Sequence, residues 1–166
     1  MRSSIFAIFL ITAIFIFAGA AKSHADDSFF FNFGHNPYYF ALDGDVEDMH
    51  SNILEFGVFL DENTRVGIYN EQVSTEAPVN SFSIRGISTE YDVLEDPFAT
   101  AIGMMLGNED AQNNVVGDVY GRFIFQTTAN TNINARLAYR TYPDDPDGVQ
   151  DDAHGVSLSV GFGLNF

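Results

Sequence analysis

An all-β fold, a closed antiparallel barrel of eight strands, is predicted by three features of the sequence. Apolar and polar residues alternate with a period of two in eight segments, as strands with one apolar and one polar face do. No segment between them carries a helical period. The connectors alternate in length: residues 35–49, 72–79, 107–114 and 142–153 are long, and 61–64, 92–97 and 127–130 are short. That order is expected of a transmembrane barrel with tight turns at one end and longer loops at the other.

The N-terminal segment reads as an address. Arg2 supplies a positive start, and an unbroken apolar stretch runs from Ile5 to Ala21. Ser23 and Ala25 then place small residues at the −3 and −1 positions of a cleavage site, with Asp26 as the first residue after it. Residues 1–25 are therefore predicted to be a cleaved signal peptide, and residues 26–166 the barrel.

Each strand is justified in turn. Phe29, Phe31 and Phe33 alternate with Ser28, Asn32 and Gly34. Leu54, Phe56, Val58 and Leu60 alternate with Glu55, Gly57 and Phe59. Val66 and Ile68 alternate with Arg65, Gly67 and Tyr69. Phe82 and Ile84 alternate with Ser83 and Arg85, and the phase slips near Gly86-Ile87, where a bulge is predicted. Phe98, Thr100, Ile102, Met104 and Leu106 alternate with Ala99, Ala101, Gly103 and Met105. Val119, Gly121, Phe123 and Phe125 alternate with Asp118, Tyr120, Arg122 and Ile124. Ile133, Ala135, Leu137 and Tyr139 alternate with Asn134, Arg136, Ala138 and Arg140. The last strand is the clearest: Val156, Leu158, Val160, Phe162, Leu164 and Phe166 hold every even position, with Gly, Ser and Asn between them.

Composition removes several function classes. The chain has no Cys, which excludes a disulfide scaffold, a zinc ribbon and a thiol nucleophile. Seven basic residues stand against 23 acidic ones, so a nucleic-acid partner has no basic surface to meet. Lys22 and Arg2 leave with the signal. Five Arg then face 23 carboxylates, a net charge of −18, and no Lys remains.

Alternation alone leaves two barrels open, a membrane barrel with its apolar face outward and a soluble lipocalin-like barrel with that face inward. Three features favour the membrane form. All five Arg fall on the polar face beside four acids: Glu55, Arg65, Glu71, Arg85, Glu90, Asp118, Arg122, Arg136 and Arg140. A near-balanced set is what a closed interior requires, since buried charges need partners. The same face is otherwise small, rich in Gly, Ala and Ser, which an eight-strand interior demands. The strand pattern also runs to the final residue, Phe166.

That terminal strand, with Val160, Phe162 and Leu164 leading to a C-terminal Phe166, resembles the assembly signal of bacterial outer-membrane β-barrel proteins. The whole of residues 26–166 resembles a small eight-stranded member of that class, comparable in architecture to OmpX or the OmpA membrane domain. A narrower resemblance is to the YfaZ family of predicted outer-membrane proteins. It rests on His50-Ser51-Asn52, on Phe56 to Leu60, and on Ala135 to Arg140 leading by an acidic loop into the last strand. These resemblances imply an outer-membrane location. Outer-membrane lipid, lipopolysaccharide and the assembly machinery are the partners expected of such a barrel, and the YfaZ resemblance carries over no activity.

The candidate chemistry is sparse. His50-Ser51 cannot form a nucleophile–base couple, because neighbours on a strand point to opposite faces. No enzyme and no cofactor are expected. Asp144, Asp145, Asp147 and Asp151 offer oxygen ligands for a weakly held divalent cation, but solvated loops with Asp and Gly as turn formers are the favoured reading. Tyr38, Tyr39, Phe40, Tyr139 and Tyr142 are candidates for an outer aromatic girdle. The charged set reads as an internal plug rather than a channel lining. The predicted role is structural or surface-interacting, through acidic loops whose ligand the sequence does not name. A narrow pore for small solutes and a soluble ligand-binding barrel are the alternatives.

Overall fold

The computed structural model describes residues 29–41, 46–47, 49–75, 81–94, 98–111, 113–143 and 155–166. The predicted cleavage point Ala25/Asp26 and the acids Asp144, Asp145, Asp147 and Asp151 lie outside these residues. Eight long strands form the wall: β1 (Phe29–Ala41), β3 (Met49–Phe59), β4 (Thr64–Thr75), β5 (Phe82–Leu94), β6 (Phe98–Glu109), β7 (Val115–Gln126), β8 (Thr131–Thr141) and β9 (Gly155–Asn165). The two-residue β2 (Val46–Glu47) pairs only with the end of β1. Each wall strand is antiparallel to the next, and β1 pairs with β9 to close the sheet. Closure leaves no unpaired edge in the wall.

Side chains sort by parity. On β3, Glu55 is 1% exposed and its neighbour Phe56 is 49% exposed. Every wall strand for which side chains are described carries exposed apolar residues on its outer face, including Phe29, Ile68, Ile102, Phe123, Leu137 and Val160. The interior holds the paired charges. A soluble barrel requires the reverse, so the lipocalin-like alternative is ruled out by the sorting of its faces.

The terminus end is tightly closed. In the β3–β4 turn, the Asp61 Oδ1 accepts the backbone N–H of Asn63 at 2.9 Å and of Thr64 at 2.7 Å. The first of these bonds holds the Asp61 carboxyl below its ordinary range. Phe29 and Phe166 exchange backbone hydrogen bonds at 2.9 Å each, so the last residue seals the wall.

Four features differ from the sequence reading. First, the strands are longer: β1 runs on to Ala41, placing Tyr38, Tyr39 and Phe40 in a strand, although their side chains lie outside the described part. Second, no bulge occurs at Gly86-Ile87. β5 pairs continuously with β4 and β6 through that point, with Ile84 opposite Glu71 and Glu109. The irregularities fall between His35 and Tyr38 against β9, and between Asp92 and Leu94 against β6. Pro37, which cannot donate to a ladder, sits inside the first. Third, β6 and β7 are joined by residues 110–114, so that connector is short. Asn113 turns it at a φ of 60°, a conformation Asn tolerates.

Fourth, the interior is not uniformly polar. At the loop end, Met49, Ile53, Val73, Ile84, Met105, Val116 and Tyr142 belong to one buried cluster. This apolar cap packs level with Glu71 and Asp118 and reaches beyond them toward the loops, with the buried Glu109 opposite Ile84.

Candidate functional site: the ion-paired interior

The interior charges form two clusters, each spanning the barrel. In the first, nearer the termini, Arg65 on β4 donates from Nε to Glu90 Oε2 on β5 at 2.7 Å, and from Nη2 to Asp92 Oδ1 at 3.0 Å. Arg122 on β7 bonds Glu55 on β3 and reaches Glu90 Oε1 at 2.8 Å. The Tyr120 hydroxyl donates to the same Glu90 oxygen at 2.9 Å, and Asn32 donates to Glu55 at 3.4 Å.

The second cluster lies nearer the loops. Arg140 on β8 donates from Nε to Asp118 Oδ1 at 2.8 Å and from Nη2 to Glu71 Oε2 at 2.5 Å. Arg136 donates to Asp118 Oδ2 at 3.0 Å. Glu71 also accepts the Tyr69 hydroxyl at 2.7 Å and the Ser51 hydroxyl at 2.5 Å. Arg136 joins the two clusters: its guanidinium lies 4.0 Å from the Tyr120 ring centroid and 5.3 Å from that of Tyr69. Among the described residues the Arg136 Nε has no hydrogen-bond partner, and these ring faces supply attraction in its place.

The backbone makes room for this arrangement. Three large interior rings stand directly across from a glycine: Phe30 from Gly57, Tyr69 from Gly86 and Tyr120 from Gly103. A Cβ on Gly103 would lie 2.6 Å from the Tyr120 ring. A ring laid over a cross-strand glycine covers backbone that has no side chain of its own.

Eight of the nine residues predicted for the interior set are there: Glu55, Arg65, Glu71, Glu90, Asp118, Arg122, Arg136 and Arg140 are all buried. Arg85 is not. It is exposed on the outer face, because β5 keeps one phase and Ile84 takes the inward position. Glu109, also buried, and Asp92 fell within connectors in the sequence reading and belong to strands. Tyr69 and Tyr120 stood at polar-face positions with no role assigned, and they prove to be the hinge between clusters. Tyr142 is 3% exposed within the cap and does not belong to an outer girdle; Tyr139 faces outward. His50 is exposed while Ser51 is buried on Glu71, so the two lie on opposite faces. Among the described residues, no group of three or more His, Asp or Glu is placed to hold a metal ion. Val160, Phe162 and Phe166 face outward on β9 and just beyond it; Leu164 is half-buried.

The fold matches solved membrane barrels. Over 87% of this chain it aligns with the whole of Neisserial surface protein A (NspA), with a TM-score of 0.66 and 13% identity. It aligns likewise with a designed transmembrane β-barrel, with a TM-score of 0.54 and 6% identity over 87% of this chain and all of that one. The fold is that of a transmembrane β-barrel. No family model and no curated protein matches the sequence, so the narrower YfaZ resemblance finds no support there. At these identities the likeness carries the fold alone.

Proposed function

We propose that this chain is an exported outer-membrane protein, a sealed barrel that carries an acidic loop face and acts as a structural or surface-interaction protein without catalysis. The observation that carries this reading is the sorting of the wall: apolar side chains outside, and four arginines among five carboxylates buried inside. Residues 1–25 direct export and are removed at Ala25/Asp26. The outward Val160, Phe162 and Phe166, with Leu164, serve as the signal read by the assembly machinery. Lipid and lipopolysaccharide surround the wall. Asp144, Asp145, Asp147 and Asp151 meet the headgroup layer, where divalent cations offset their repulsion from lipid phosphates.

The interior speaks against the pore reading. A crossed ion-pair network fills the middle, and the buried apolar cluster packs around its loop-side end. Eight strands leave room for side chains and little else. The purified protein is therefore expected to give no stepwise conductance in planar bilayers bathed in concentrated KCl. An epitope inserted between Val149 and Gln150 is expected to be reachable by antibody on intact cells. Regular conductance steps would restore the narrow pore, and an epitope reached only after lysis would remove the surface role.

A further inference from the structure

Arg85 is the one arginine of residues 26–166 that the interior does not use. It faces outward on β5, directly between Asn70 on β4 and Asn108 on β6. Cross-strand partners share one face about 5 Å apart, so these three side chains stand in a row. The next row toward the termini on the same face is Ile68, Ile87 and Leu106, which is apolar. Toward the loops the face turns polar, with Gln72 and Ser83 opposite one another. Arg85 therefore marks the loop-side margin of the apolar band. Among the described residues it makes no ion pair.

We infer that Arg85, with Asn70 beside it, binds the phosphate of a lipid headgroup at this margin. The inference rests on the lipid-spanning reading above and names the partner of one site within it. Charge makes the case. The other four arginines are buried against carboxylates, and residues 26–166 contain no Lys. In so acidic a chain, a lone outward guanidinium at headgroup depth has phosphate as its natural counter-ion. Its planar fork matches phosphate oxygens in pairs. Asn70 is the neighbour able to add a donor, because the Asn108 amide already donates to Asn113 Oδ1 at 2.8 Å. The apolar row of Ile68, Ile87 and Leu106 lies where the acyl chains of such a lipid would run.

The test compares wild type, Arg85→Ala and Arg85→Lys in detergent micelles by native mass spectrometry. The probes are lipid A with its phosphates and the same lipid dephosphorylated. Wild type is expected to retain the phosphorylated form about tenfold better, the scale of one charge-assisted contact. Arg85→Ala should lose most of that preference, and Arg85→Lys should keep part of it. Equal retention by wild type and Arg85→Ala would overturn the inference. So would displacement of the lipid by inorganic phosphate at matched concentration, which would make the site one for a free anion. Arg85→Ala should also unfold at the wild-type temperature in lipid-free detergent; a lower temperature would mean that Arg85 serves a partner within the chain instead. Each protein is first checked for a heat-dependent shift in gel mobility. A chain that shows none fails the lipid-spanning reading itself, before lipid is added.

Discussion

Replacing Arg140 with Ala is expected to destabilise the barrel by about 3–5 kcal/mol. Arg140 bridges Asp118 on β7 and Glu71 on β4, and all three side chains are at most 3% exposed. Removing the guanidinium leaves Glu71 with two hydroxyl donors and no cation, and leaves Asp118 with Arg136 alone. A buried carboxylate without a counter-charge costs far more than the intact pair contributes, since forming the pair also strips both ions of water. The asymmetry supplies a control. The double variant Arg140→Gln, Glu71→Gln removes both charges of one bridge and leaves Asp118 on Arg136. It should be less destabilised than the sum of its single variants, the non-additivity expected of groups in one network. Urea unfolding in phospholipid vesicles, followed by far-ultraviolet circular dichroism, measures both. A loss below about 1 kcal/mol for Arg140→Ala would mean that the interior is wet enough to solvate its acids.

Replacing Gly57 with Val is expected to prevent the barrel from closing. Gly57 on β3 faces Gly67 on β4. A Cβ on Gly57 would lie 2.1 Å from the Val66 carbonyl oxygen, 2.5 Å from the Gly67 Cα and 2.7 Å from the Phe30 ring. Two of these three atoms are backbone, so no rotamer change relieves the clash. The milder Gly57→Ala already exceeds the usual range for overpacking, about 1–3 kcal/mol, and β-branching adds further atoms to the same space. Gly117→Ala is the matched control: its Cβ would meet nothing nearer than Thr141 Cγ2 at 3.7 Å, ordinary contact. It should fold like wild type, within about 0.5 kcal/mol. The fraction of each variant that shifts mobility on heating reads out closure.

Much of this architecture was legible in the residues. Period-two alternation marked all eight wall strands, because a wall between lipid and a packed interior forces opposite chemistry on alternate side chains. The charges Glu55, Glu71, Asp118, Arg122, Arg136 and Arg140 stood out because each interrupts an apolar run on one parity. Arg85 was misassigned for a physical reason. Toward the loops several inward positions are apolar, so Ile84 points inward and Arg85 outward, and a rule placing every charge inside reads the phase backwards. The same apolar cap hid the upper turns of β3 and β4, where Met49 and Val73 face inward and the two faces no longer contrast. The pairing of charges was not readable either. Glu71 meets Arg140 across 69 positions and Glu55 meets Arg122 across 67, and such contacts depend on barrel closure and strand stagger. Nor does any local pattern announce that Arg136 on β8 lies over the ring of Tyr69 on β4 as well as that of Tyr120 on the adjacent β7.

The central claim is that the apolar face of this barrel meets lipid and its ion-pair network is sealed inside. It is tested most directly by fractionating cells that express the chain and running the outer-membrane pellet on a detergent gel with and without boiling. A closed barrel with a paired interior resists detergent until heated, so the protein should appear in that pellet and change mobility on boiling. Release by osmotic shock into the soluble periplasmic fraction, with no heat-dependent shift, would contradict the claim.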